Sequence, residues 1–380
     1  MKKKLRVAVG MSGGVDSSVA AALLIEKGYE VHGAYLECYN EPGCRTDQDK
    51  ADALKVAMQL GCRFLTLDLR KKYKEKVVQY FLAEYRAGRT PNPDIVCNRE
   101  VKFGILYDYA RKNGFDYVAT GHYARIVTLR VGPLKSNFKG ETLIARARDL
   151  TKDQSYFLWQ VPQDHLNNIL FPLGDMLKSE VRAKARELHL PVADKPDSMG
   201  VCMMGELDVG EFLRQKLGEK PGEVVMQCHG DTVTQCHIGT HRGLWFYTIG
   251  QRGGWERSSK SQIINSQRLK LGINTNNMPP LYVIGKDKAN NQLIVGEREE
   301  AMRKEFWIDS STTLGMTVDA GKLWVRVRNL GELVAVSKCH SVTGGMIVET
   351  VEPIFAVAEG QSAVFYDERG CVVGGGIIRE

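Results

Sequence analysis

The chain has 380 residues, 43% hydrophobic and 26% charged, a globular composition that excludes a largely disordered or fibrous polymer. Its 52 basic and 45 acidic side chains leave a net charge of +7, compatible with an RNA or phosphate partner but diagnostic of none. No run of about 18 apolar residues occurs, so no membrane span is expected.

The first apolar stretch, residues 5–9, is too short for a secretory signal and leaves no room for a transit peptide, so a bacterial cytoplasm is the expected compartment. Nine scattered cysteines then point to thiol chemistry or buried thiols rather than a structural disulfide framework. Residues 5–9 and 31–36 predict strands, with a helix at 17–27 between them closed by Gly28. A helix at 48–60 stops at Gly61, and Phe64, Leu65 and Leu67 mark a third strand. Amphipathic helices at 74–87 and 101–113 end at Gly88 and Gly114, and a fourth strand at 117–120 runs into Gly121-His122. This alternation predicts an α/β domain over residues 1–207, a doubly wound parallel sheet whose ligands sit at the carboxyl ends of its strands.

Past residue 207 the texture changes. Short runs at 222–225, 243–247, 281–284, 292–295, 323–327, 333–336, 346–351, 362–366 and 372–377 predict strands punctuated by Gly and Asn. They divide into a small β-rich central domain, 208–290, and a C-terminal β-barrel domain, 291–380. The polar stretch 258–280 reads as a loop or insertion.

Three segments carry chemistry. The first is Gly10-Met11-Ser12-Gly13-Gly14-Val15-Asp16-Ser17-Ser18, between a predicted strand and helix. Its glycines free backbone N–H groups to curl around an anion, the helix N-terminus adds its dipole, and Asp16 is able to hold Mg²⁺. It is neither a Walker A loop nor G-x-G-x-x-G; the bland alternative is a capped Gly/Ser turn. The second runs from Arg89 through Asn92, Pro93 and Asp94 to Cys97 and Asn98. Asp94 and Cys97, three apart, share one helical face, and a first-turn cysteine there has a lowered pKa. Taken alone, Asp94 is as well read as an N-cap and Cys97 as a buried thiol. The third places Cys202 between Gly200 and Gly205, where a thiol is readily exposed. Two such thiols suggest a transient catalytic pair. By contrast, Cys228, His229, Cys236, His237 and His241 lack a usual zinc spacing and are read as loop or core residues, with no metal.

The first segment resembles the loop of the N-type ATP pyrophosphatases. With the Asn92–Cys97 and Cys202 segments beside it, the chain is similar along almost its whole length to the tRNA 2-thiouridylases, which install sulfur at C2 of the wobble uridine. The resemblance also covers Ala119 to Tyr123, Lys152 to Leu158 and Gly360 to Tyr366. It implies that ATP, with Mg²⁺, is held by Gly10, Met11, Ser12, Gly13, Gly14, Val15, Asp16 and Ser17, with Leu36 and Gly121 at the adenosine. It implies that Asn92, Pro93 and Asp94 approach the target base. Asp94 acts as acid/base, Cys202 carries a persulfide, and Cys97 is the second thiol, able to form a transient disulfide with it. The remaining tRNA contacts implied are His122, Lys152, Asp153, Gln154, Arg328, Asn329 and Gln361; Asn329 and Leu330 stand where family members have Tyr and Arg. The implied partners are tRNA and a persulfide-carrying donor protein, and the chain is expected to be monomeric. Two rival readings are another ATP pyrophosphatase, which needs no thiol pair, and a non-catalytic RNA-binding module, which needs neither Asp94 nor the thiols.

Overall fold

The apolar runs of the first 170 residues become the buried centre of a parallel sheet. The computed structural model describes residues 4–39, 46–129, 141–197, 208–228, 234–257, 280–309 and 323–379. Strand β1 (Arg6–Gly10) lies between β2 (Glu30–Glu37) and β4 (Tyr117–Ala119); β3 (Arg63–Asp68) extends the sheet beyond β2. A two-residue strand, β7 (Ile169–Leu170), joins the far side, and all the pairings are parallel. It was missed from sequence because two residues carry no period.

Successive residues of a strand face opposite sides, and both sides of β1 are covered. Val7 and Val9 pack with Val19 and Leu24 of α1 (Val15–Glu26), Val56 of α2 (Thr46–Gln59) and Val181 of α7 (Lys178–Glu187). Ala8 packs with Tyr73, Phe81, Phe103 and Leu106 on the other side. The doubly wound expectation holds. On that second face α3 (Arg70–Tyr73) passes through a π-helical turn into α4 (Gln79–Arg86). Likewise α5 (Pro93–Cys97) continues through residues 98–105 into α6 (Leu106–Lys112). The helix expected at 101–113 thus begins eight residues earlier, with Pro93 in the first turn where its missing N–H costs nothing. An antiparallel hairpin, β5 (Ala124–Leu129) and β6 (Glu141–Arg146), lies outside the sheet.

The second module opens on a helix that the β-rich texture concealed, α8 (Val209–Leu217), capped by the Asp208 carboxylate accepting from Glu211 N at 3.0 Å. Its sheet is ordered β10-β9-β8-β12-β11: β8 (Gly222–Cys228), β9 (Thr234–His241), β10 (Glu256–Arg257), β11 (Tyr282–Asp287) and β12 (Gln292–Gly296). The boundary expected at 290/291 falls inside the β11–β12 hairpin, and β12 also pairs with β8, so the module runs to Gly296. The strand expected at 243–247 is instead a 3₁₀ turn, Leu244–Phe246. Cys236 is disulfide-bonded, which corrects its reading as a loop or core thiol; its partner is not among the described side chains, and pairing depends on proximity that spacing does not show.

The last module is a closed barrel, β13-β16-β15-β14-β17-β18: β13 (Met302–Asp309), β14 (Trp324–Arg326), β15 (Val334–Val342), β16 (Gly345–Phe355), β17 (Ser362–Tyr366) and β18 (Val372–Arg379). Closure removes the free sheet edges, and Phe306, Ile308, Val325, Val348 and Phe365 fill the interior. Strand β13 escaped the sequence reading because Arg303, Lys304 and Glu305 break its apolar pattern. No helix among the described residues is long and apolar enough to cross a membrane.

Candidate functional site

The turn between β1 and α1 is braced by its own small residues. Ser17 Oγ accepts from Ser12 N at 3.1 Å, and Ser18 Oγ donates to Gly14 O at 2.7 Å. Gly13 sits at φ +75°, and a Cβ there would lie 2.1 Å from Asp49 O, so only glycine fits. Gly121, after β4, lies flat on the turn: its Cβ would meet Ser17 N at 2.6 Å. A cavity of about 420 Å³ opens beside this turn. All the expected nucleotide residues line it except Gly13, whose carbonyl accepts from Lys195 Nζ at 2.9 Å.

Asp94, Asn98, His122, Lys152 and Gln154 line the same cavity. The structure thus joins the nucleotide loop to the Asp94 segment and to part of the expected tRNA set. Cys97 is completely buried, one residue from cavity-lining Asn98. It is the fifth residue of α5, beyond the first turn on which a dipole-lowered pKa was expected. Asn98 Nδ2 donates to Phe157 O at 3.0 Å, while its buried Oδ1 has no hydrogen-bond partner among the described residues. Cys202 lies outside the described residues, as do 258–279 of the expected insertion.

His122 is buried, and burial together with the Lys102 ammonium holds its pKa well below the usual imidazole range. Lys102 Nζ donates to Nε2 at 3.3 Å, so Nδ1 carries the proton toward Thr120 Oγ1 at 2.7 Å. Asp153 was expected to touch tRNA, but its carboxylate is fully buried against Arg326 at 2.8 Å and Arg146 at 3.5 Å, an interior clamp between the first domain and the barrel. Gln361 Nε2 donates to Thr90 O at 2.8 Å. The Arg328 guanidinium donates to Phe355 O, and Asn329 Oδ1 is buried without a partner among the described residues. His241, read from sequence as a loop or core residue, is buried in the central module: its Nδ1 accepts from Gly243 N at 3.0 Å and Nε2 reaches Asn291 O at 3.0 Å, which occupies both nitrogens there.

Apart from Lys152, sequence reasoning missed the cations. Lys178, at the start of α7, donates to both Asp16 carboxylate oxygens at 2.7 and 2.8 Å and pairs with Asp197 at 2.9 Å. Tyr123 OH donates to Asp16 Oδ1 at 2.8 Å. Asp197 also holds Lys152 at 2.9 Å and Arg182 at 2.6 Å; burial would raise its carboxyl pKa, but the bonds from Lys178 and Lys152 hold it far below the carboxylate range. Five residues before Cys202 in sequence, Asp197 thus ties the start of that segment to the nucleotide loop. Lys178 sits on an ordinary amphipathic helix, so nothing in its sequence context marks it.

For Mg²⁺, the relevant donor is Asp16, whose carboxylate is 34% exposed at the cavity. A partly exposed carboxylate beside an anion-binding turn fits a hard cation that takes most of its other ligands from phosphates and water, in exchange for the Lys178 ammonium that Asp16 holds here. No group of three or more His, Cys, Asp or Glu suited to a resident metal occurs among the described residues.

Comparison with known proteins adds three family matches. Residues 5–206 match a family described as "tRNA methyl transferase HUP domain", residues 210–297 a "tRNA methyl transferase PRC-barrel domain", and residues 302–378 an "Aminomethyltransferase beta-barrel domain". The chain is 40% identical over 382 residues to a tRNA-specific 2-thiouridylase MnmA of Akkermansia muciniphila, covering 98% of each chain. It is 41% identical to the protein of the same name from Enterococcus faecalis, covering 99% of this chain and 95% of that one. Among solved structures, a 4-thiouridine synthetase–RNA complex with bound ATP is 18% identical, with a TM-score of 0.35 over 56% of this chain and 50% of that one, too slight a likeness to bear on function.

Proposed function

The chain belongs to the tRNA-specific 2-thiouridylase family, and we propose that it uses ATP to replace the C2 oxygen of the wobble uridine of tRNA with sulfur. The observation that carries this reading is the shared cavity: the anion-binding turn and the Asp94–Asn98 helix line one space. A nucleotide held by the turn and a base reaching Asp94 meet there. The wobble base must be presented unpaired to enter. Asn98 Oδ1, an acceptor without a partner among the described residues, suits the N3–H of uracil.

The chemistry needs both halves. The C2 oxygen of uracil is a urea-like carbonyl oxygen and an untenable leaving group. It attacks the α-phosphorus of ATP, the α–β phosphoanhydride bond breaks, and pyrophosphate departs, leaving AMP on O2. Backbone N–H groups of residues 12–17 and the α1 N-terminus stabilise the phosphate charge, with Lys178 close by. Mg²⁺ held by Asp16 would supply further neutralisation of the pyrophosphate. Asp94 manages the proton on the base. The terminal sulfur of a Cys202 persulfide, loaded by a donor protein, attacks C2 and expels AMP. The Cys97 thiolate then attacks Cys202 Sγ, the S–S bond to the base breaks, and its electron pair stays on the sulfur at C2. The product is 2-thiouridine with a Cys97–Cys202 disulfide, which an external thiol reduces. In the other order, Cys97 attacks the persulfide first and the hydrosulfide released attacks C2.

Because Cys97 is buried, either route requires the Asp94–Asn98 helix or its surroundings to open. The test is thiolation of unmodified tRNA by purified chain with ATP and a persulfide donor, read by mass spectrometry. Cys202→Ser should abolish 2-thiouridine while tRNA binding persists; normal product from that variant would remove Cys202 from the mechanism. Pyrophosphate exchange into ATP that depends on an amino acid or xanthine nucleotide rather than tRNA would favour the rival ATP pyrophosphatases.

A further inference from the structure

In residues 88–92, immediately before the Asp94–Cys97 helix, Gly88 N and Arg89 bond within their own domain, to Tyr85 O and Glu84, whereas Thr90 and Pro91 are held from outside it. Pro91 removes one N–H donor from this stretch and Pro93 disfavours a helical Asn92, so residues 89–92 join neither a helix nor a sheet. The polar groups of Thr90, the Pro91 carbonyl and the Gly88 carbonyl are met by the other two modules. From the barrel, Gln361 Nε2 donates to Thr90 O at 2.8 Å and Pro91 O at 3.3 Å, and Glu359 O accepts from Thr90 N at 2.9 Å. Between them Gly360, at φ +90°, brings the barrel backbone so close that a Cβ would lie 2.9 Å from Thr90 O. From the central module, Lys286 Nζ donates to Gly88 O at 2.8 Å, and Thr248 Oγ1 accepts from Thr90 Oγ1 at 3.1 Å. Lys288 joins the two modules through Glu359 at 2.8 Å.

We propose that Gln361 is a positioning residue: with Gly360 and Thr248 it makes the barrel and the central module a clamp on the segment that aims Asp94 and Cys97. The proposal rests on the thiolation reading for its kinetic arm and not for its structural one. Its content is that Gln361 acts through Thr90 and Pro91 rather than by holding RNA. The side-chain amide has two hydrogens, and both carbonyls that face it belong to this segment. Cys97 is buried at the end of a five-residue helix that begins at Pro93. Loosening the carbonyls just before that helix frees its first turn, and a displacement of about 1 Å at a reacting group is enough to slow chemistry roughly 100-fold.

The experiment uses the full chain with Gln361→Met, which keeps the side-chain volume and removes the donors, and with Thr248→Val on the other module as a milder second break. Amide exchange over residues 89–98, followed by mass spectrometry, should quicken roughly tenfold in Gln361→Met and less in Thr248→Val, while exchange in β1 and β4 stays as it was. At saturating tRNA, kcat for thiolation should fall about 10-fold with the KM for tRNA within about 2-fold, the pattern of lost positioning rather than lost binding. Unchanged exchange over residues 89–98 overturns the clamp, and so does an unchanged kcat with a raised KM, which would make Gln361 an RNA contact. If the unaltered chain itself makes no 2-thiouridine, the functional reading fails while the exchange measurement still decides the clamp.

Discussion

The nucleotide turn and the Asp94–Cys97 segment line one cavity but are stabilised in different ways. The turn spans nine consecutive residues and supplies its own braces, serine to backbone, within a few positions. Its supports from elsewhere, Gly121, Asp49 and Lys195, all belong to the first domain. The stretch leading into Asp94 bonds to Glu84 of its own domain through Arg89, but at Thr90 and Pro91 it is held by Gln361 and Glu359, roughly 270 residues away in sequence, with Thr248 and Lys286 of the central module beside them. A phosphate cradle needs only a fixed backbone curl, which a short sequence encodes; the approach to the Asp94 helix is set by surfaces that meet only when the three modules assemble.

The sharpest way to break this comparison is in the turn. Gly121→Ala places a methyl 2.6 Å from Ser17 N and must push the turn out of shape. ATP affinity, measured by calorimetry, should fall about 100-fold or more. Gly14→Ala, at φ −98° with its nearest neighbour at 3.4 Å, should cost less than about 3-fold; equal losses in the two would contradict the steric account.

Next in size is the interior clamp between domain and barrel. Arg326→Met leaves the fully buried Asp153 carboxylate with Arg146 at 3.5 Å as its one cation among the described residues, beside the neutral donors Ala147 N, Ser155 N and Ser155 Oγ. Removing one partner of a buried pair costs roughly 3–5 kcal/mol, so the urea midpoint should drop sharply while ATP affinity in the folded chain is retained. A loss of under about 1 kcal/mol in unfolding free energy would show that the pair does not hold the modules.

Lys178→Met should weaken ATP binding about 10-fold or more, because it removes a charge-assisted bond to each Asp16 oxygen and leaves Asp197 to Lys152 and Arg182. Unaltered ATP affinity would assign Lys178 to structure alone.

The smallest effect is a pH dependence. The folded-state pKa of His122 lies below the ordinary value near 6.5, so the unfolded chain binds the proton first as pH falls. Stability contributed by the neutral imidazole is therefore whole above about pH 6.5 and is lost below it, at up to about 1.4 kcal/mol per pH unit. His122→Asn should flatten the urea-stability profile between about pH 6.5 and 5; an unchanged slope would mean that His122 is not the group responsible.

What the sequence determined by itself is what its local periods and turns encode. Continuous apolar runs gave the parallel strands, glycines ended the helices, and a run of small residues around Asp16 gave the anion cradle, because in each case the deciding interactions lie within about ten residues. The helix at 209–217, the two-residue strand β7 and the charged strand β13 were hidden, since tertiary packing outweighed weak local patterns there. Only the folded chain decided that Cys97 is buried rather than presented, that Asp153 joins two modules instead of facing solvent, and that Lys178 grips Asp16 from 162 positions away. Burial and ion pairing depend on which surfaces meet, and that is a property of the assembled modules rather than of any stretch of chain.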